Sequence, residues 1–91
     1  MQNMAPFRVT QEFALLGGPL TQPDVDRLLG RLREAAPGAS AGLELGIGRM
    51  RVVLTVPARD AAEAVGLATG LARSAIGRRA AWVGVEPAGP A

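Results

Sequence analysis

The segments FRVTQEF, from Phe7, and MRVVLTV, from Met50, start forty-three residues apart and share a pattern. Each alternates apolar and polar side chains, the period of a strand with one buried face. Each is followed by an apolar stripe at helical spacing, and Leu28 of the first half matches Leu71 of the second at the same offset. A chain of 91 residues holds one domain. Two strand-helix halves must therefore share one sheet and one core.

In the first half, Phe7, Val9, Phe13 and Leu15 alternate with Arg8, Thr10, Glu12 and Ala14 over Phe7 to Leu16. Gln11 falls on the apolar side, which predicts a bulge or a place near the sheet margin. A helix is predicted from about Gln22 to Ala36, with Val25, Leu28, Leu29, Leu32 and Ala36 as its apolar stripe. Thr21 and Asp24 have the spacing of a capping box, and Leu20 and Val25 that of a hydrophobic staple. Pro37-Gly38 stops the helix, and GASAG reads as a loop. Leu43 to Val56 reads as two strands joined by a tight turn at Gly46 to Arg49. A second helix follows, from about Asp60 to Ile76, with Ala61, Ala64, Val65, Ala68, Leu71, Ala72 and Ala75 as its stripe and Gly77 as its terminator. Ala80 to Pro87 reads as a last strand. The ordered core is expected over about 7–87, with 1–5 and 88–91 loose.

The order strand-helix-strand-strand-helix-strand resembles the ferredoxin-like superfold, an α+β class. The resemblance implies a βαββαβ sandwich: a four-stranded antiparallel sheet in order 4-1-3-2 with both helices on one face. The start of the chain is also similar, through GGPLT, to small actinobacterial ferredoxin-like modules that can precede a helix-turn-helix. No helix-turn-helix pattern occurs in these residues, so that likeness implies no DNA binding.

Composition excludes several chemistries. The chain has no cysteine and no histidine. Disulfides, thiolate nucleophiles, Ser-His arrangements and ordinary zinc sites are therefore ruled out. The eight acids are scattered; Asp24 and Asp26 alone are close, and two residues apart on a helix they diverge. No cofactor is expected. The isoelectric point near 11.0 reflects ten arginines and no lysine, tyrosine, cysteine or histidine, and the net charge is only +2. The pI thus marks missing titrating groups rather than a strong positive field. The longest apolar runs are strand-sized, which predicts no membrane helix. MQNMAPFRV lacks the form of a signal peptide, so a cytoplasmic location is expected.

Function in this superfold resides in grafted sites. Acylphosphatases of this fold use a glycine-rich loop with Arg and Asn. Here that loop is GGPL, without arginine, and the single asparagine is Asn3. With so few proton-active side chains, no enzymatic activity is expected. The first reading is a protein–protein interaction or adaptor module that self-associates through the uncovered sheet face. Its contact residues would be Arg8, Thr10, Arg51, Val53, Thr55 and Trp82. Trp82 has two possible places, on the open face or folded into the core. An alternative is a small-ligand regulatory domain like those of the ACT type, using Gly17, Gly18 and Leu20 at the strand-helix junction. The Thr21–Asp24 box and the acids beside it compete with that reading. A third reading, nucleic-acid binding through arginines, lacks the aromatic platform of RNA-binding sheets. There Arg8, Arg49 and Arg51 would instead pair with Glu12 and Glu44. Gly66 and Gly70, four apart in the second helix, suggest close packing against the first helix or a second copy.

Overall fold

The computed structural model describes residues 4–18 and 20–89. Asn3, Pro19 and the last two residues of the expected loose tail lie outside them. The elements are β1 (Ala5–Ala14), α1 (Gln22–Ala35), β2 (Ser40–Gly46), β3 (Arg49–Ala58), α2 (Ala61–Ile76) and β4 (Trp82–Pro87). The fold is α+β, with one antiparallel sheet of four strands in the order β2-β3-β1-β4. Counted from the opposite edge, that order is 4-1-3-2. The two repeated strands, β1 and β3, are the central pair.

One sheet face carries the core. Val9 and Phe13 from β1 and Met50, Val52, Leu54, Val56 and Ala58 from β3 are buried there. Helix α2 lies against them through Ala64, Ala68, Ala72 and Ala75. These residues recur every three or four positions, so the helix meets the sheet along a row of methyl groups. Ala61, expected in this row, is exposed, because it stands in the first turn before the helix reaches the sheet. Helix α1 buries Val25 and Leu32 and half-buries Leu28 and Leu29.

Both helices start on side-chain caps. The Asp24 backbone N–H donates to the Thr21 hydroxyl at 3.4 Å, and the Thr21 backbone N–H donates to the Asp24 carboxylate at 3.0 Å, completing the box. Asp60 accepts from the Glu63 N–H at 2.8 Å, and Gly77 ends α2 at φ +76°. At that angle a β-carbon would be strained, which is why glycine terminates the helix.

Several boundaries differ from the spacing. β1 begins at Ala5, paired with Ala58, and the Ala88 N–H donates to the Pro6 carbonyl at 2.9 Å, so both ends of the expected core extend outward. Part of the GASAG loop is strand: Ser40, Ala41 and Gly42 pair with Thr55, Leu54 and Val53. Small residues have little strand preference of their own, and the β3 ladder imposes it. Gln11 lies at neither a bulge nor a margin. It pairs in unbroken register with Val52 and Val83 on a central strand, and is 1% exposed.

Candidate functional site

Cross-strand partners point to the same face of a sheet. The face opposite the helices can therefore be read row by row from the registers. One row runs Trp82, Glu12, Arg51, Glu44; the next Gly84, Thr10, Val53, Gly42; the third Glu86, Arg8, Thr55, Ser40. The six expected contact residues, Arg8, Thr10, Arg51, Val53, Thr55 and Trp82, thus share one face, and no helix covers it.

The register places Trp82 on this open face. The Ala81 N–H donates to the Glu12 carbonyl at 2.7 Å, which starts β4 with Trp82 opposite Glu12. Trp82 is 53% exposed, and its ring extends along the strand over Gly84. A β-carbon at Gly84 would overlap that ring. The glycine gives the indole a flat seat, and the indole covers backbone that a glycine leaves bare. At the other end of the same row, Gly42 has open space above it. Thr10 and Val53, between the two glycines, are half-buried.

Charges on this face are balanced. Arg8 pairs with Glu86 at 3.1 Å, Arg51 with Glu12 at 2.7 Å, and Arg49 reaches the same Glu12 at 4.0 Å. Glu44 stands opposite Arg51. The bond from Arg51, aided by the charges of Arg51 and Arg49, holds the Glu12 carboxyl below its usual value against a smaller opposing effect of burial. The arginine pairings expected from sequence occur at Arg49 and Arg51, whereas Arg8 turns to β4 and takes Glu86.

Gly17, Gly18 and Leu20 line a hollow of about 340 Å³ at the junction of β1 and α1. Asp24, Arg27 and Arg31 also border it. Asp24 is held by the helix cap, whose bonds from Thr21, the backbone one first, lower its pKa. Arg27 lies 3.5 Å from Asp24.

Gly66 and Gly70 do not pack against α1. A β-carbon at either would meet nothing within 4 Å, and both residues are exposed. They sit on the rim of an apolar hollow with Leu67, Leu71, Val56 and Pro57. Helix α2 approaches its neighbours through its alanine face, so these glycines contribute no close approach within the chain.

A further exposed apolar surface lies outside the strand and helix periodicities. Leu16 is 92% exposed, Ile47 fully so, and Leu45 48%. They lie where the β1–α1 loop meets the β2–β3 turn, tied by the Leu15 N–H to the Gly48 carbonyl at 2.9 Å. The available signal was isoleucine in a two-residue turn, where polar residues and glycine are usual.

Among the described residues no three His, Cys, Asp or Glu side chains gather as metal ligands, and no helix is long and apolar enough to cross a membrane. Comparison with protein-family models, curated proteins and solved structures finds no match for the chain.

Proposed function

We propose that this chain is a ferredoxin-like, non-enzymatic interaction module that pairs with a second copy of itself through the open sheet face, with Trp82 as anchor. The observation that carries the reading is the Trp82 indole, half-exposed and seated on Gly84 at the corner of an otherwise ion-paired face. Tryptophan and arginine are favoured interface anchors. An indole resting on its own strand has little freedom left to lose on binding. Three arginines and three glutamates leave this face with little net charge, so two copies can meet on it without strong repulsion. A small domain also gains stability by covering a sheet face. Trp82 is the sole tryptophan, so its emission reports directly on this face. The reading predicts blue-shifted emission in concentrated protein that moves to the red on dilution. Emission independent of concentration would argue against it.

A second reading has its own observation. The hollow bordered by Gly17, Gly18, Leu20, Asp24, Arg27 and Arg31 supports an ACT-like site for a small ligand such as an amino acid. A thermal-shift screen of amino acids tests it; the reading requires a shift that Arg31→Ala removes. Nucleic-acid binding through Arg8 and Arg51 is less favoured, because both guanidiniums already face carboxylates.

A further inference from the structure

Gln11 is the one buried polar side chain among the described residues, and its Oε1 atom has no hydrogen-bond partner. An unpaired buried amide is costly, and an apolar residue of similar size would avoid the cost. Gln11 is among the residues that line a hollow of about 100 Å³ on the helix side of the sheet, between α2 and the segment leading into β4. Phe13, Ala72, Ala80 and Val83 form its apolar lining, Thr69 stands beside them, and three exposed arginines, Arg73, Arg78 and Arg79, border it. No carboxylate lines it. Elsewhere Arg8, Arg27, Arg49, Arg51 and Arg59 each have an acidic partner, while Arg31 and Arg33 on α1 have none among the described residues. Arg73 and Arg79 have none among the described residues, and Arg78 has only a 3.5 Å bond to the Ala14 carbonyl.

We propose that this hollow binds a phosphate-type oxyanion, either the free ion or the terminal phosphate of a small monoester. Gln11 would bond it from the buried end, and Arg73, Arg78 and Arg79 would neutralise it. A space of about 100 Å³ admits a tetrahedral ion. Three guanidiniums match a dianion with oxygens in several directions better than a planar monoanion. A phosphate oxygen can accept from the Gln11 carboxamide N–H, and the O–H of hydrogen phosphate can donate to the Gln11 oxygen, sealed in this conformer, after a half-turn of the amide.

The test uses the whole chain in phosphate-free buffer at constant ionic strength. Inorganic phosphate, glycerol phosphate and acetate are added separately. Melting temperature and the side-chain amide resonances of Gln11 are followed. At ten times its Kd, phosphate should raise Tm by about 5 °C or more and move the Gln11 resonances. Arg73→Gln combined with Arg79→Gln should weaken binding tenfold or more, and Gln11→Leu should abolish the phosphate-dependent shift. Phosphate also stabilises proteins by general exclusion, so a Tm rise that persists unchanged in the double arginine variant would overturn the proposal. Unmoved Gln11 resonances at about 10 mM phosphate would do the same, since no useful site would remain. Binding of glycerol phosphate as well as phosphate supports a site for a monoester, and binding of phosphate alone supports one for the free ion. Acetate binding as tightly as phosphate would contradict the oxyanion class. Should Gln11→Leu fail to fold, the double arginine variant on the surface decides.

Discussion

The Trp82 ring occupies the space that a β-carbon on Gly84 would need. The two residues are separated by one position on β4 and point to the same face, so each sets what the other can be. Gly84→Ala should drive the indole off its seat. The displaced atoms belong to a side chain that can rotate, so the stability change should stay within about 1 kcal/mol. Tryptophan emission should move to the red and quenching by iodide should increase. Unchanged emission would mean that the ring does not rest on this glycine.

Helix α2 meets the sheet through Ala64, Ala68, Ala72 and Ala75. A larger side chain in this row lifts the helix. Ala68→Leu should destabilise the fold by about 1–3 kcal/mol, the usual cost of overpacking. Urea denaturation measures it, and a neutral result would place α2 farther from the sheet.

On the outer side of the same helix, Gly66 and Gly70 face open space. Gly66→Ala and Gly70→Ala should each stabilise by about 0.5–1 kcal/mol, read by the same denaturation curves. Association through the sheet face should be unaffected. Loss of association in the double variant would move the contact surface to α2.

Glu12, Asp24 and Glu63 all have carboxyl pKa values lowered in the folded chain. The leading causes are the side-chain bond from Arg51, the backbone bond from Thr21 and the side-chain bond from Arg59, respectively. A carboxylate held below its unfolded value contributes stability that is present above the unfolded pKa. That contribution is lost as pH falls through the folded one. The melting temperature should therefore fall as pH drops through and below the usual carboxylate range. Glu12→Gln should flatten that fall. Thr21→Ala should flatten it too, and should cost about 1 kcal/mol at neutral pH through loss of the cap. A melting temperature that rises on acidification would contradict the assigned ion pairs.

Much of this arrangement was legible in the residues. The repeated alternation at Phe7 and Met50 marked the two strands that the structure places at the centre of the sheet. Thr21-x-x-Asp24 marked the start of α1. What was hidden depended on register or on tertiary context. Trp82 shows no face until Ala81 bonds to Glu12 and sets the parity of β4. Ser40 to Gly42 look like loop because small residues have little strand preference, yet β3 pairs with them. Gln11 was placed on the buried side by its spacing, but its polarity suggested a bulge. The unbroken pairing around it shows a buried amide on a central strand. The glycines of α2 read as a packing device against the first helix or a second copy, and the space around them shows that they do not meet the first helix.

In the proposed dimer the uncovered sheet face joins two copies. Light scattering coupled to size-exclusion chromatography, over a wide range of concentrations, tests it most directly. A dimer through this face has a mass near twice 9.4 kDa, expected for the native chain at high concentration. Trp82→Ala and Val53→Arg, whose side chains lie on that face, should return the mass to that of a single chain while the circular dichroism spectrum is kept. A native chain that stays monomeric at the highest concentration, or a dimer that both substitutions leave intact, would contradict it.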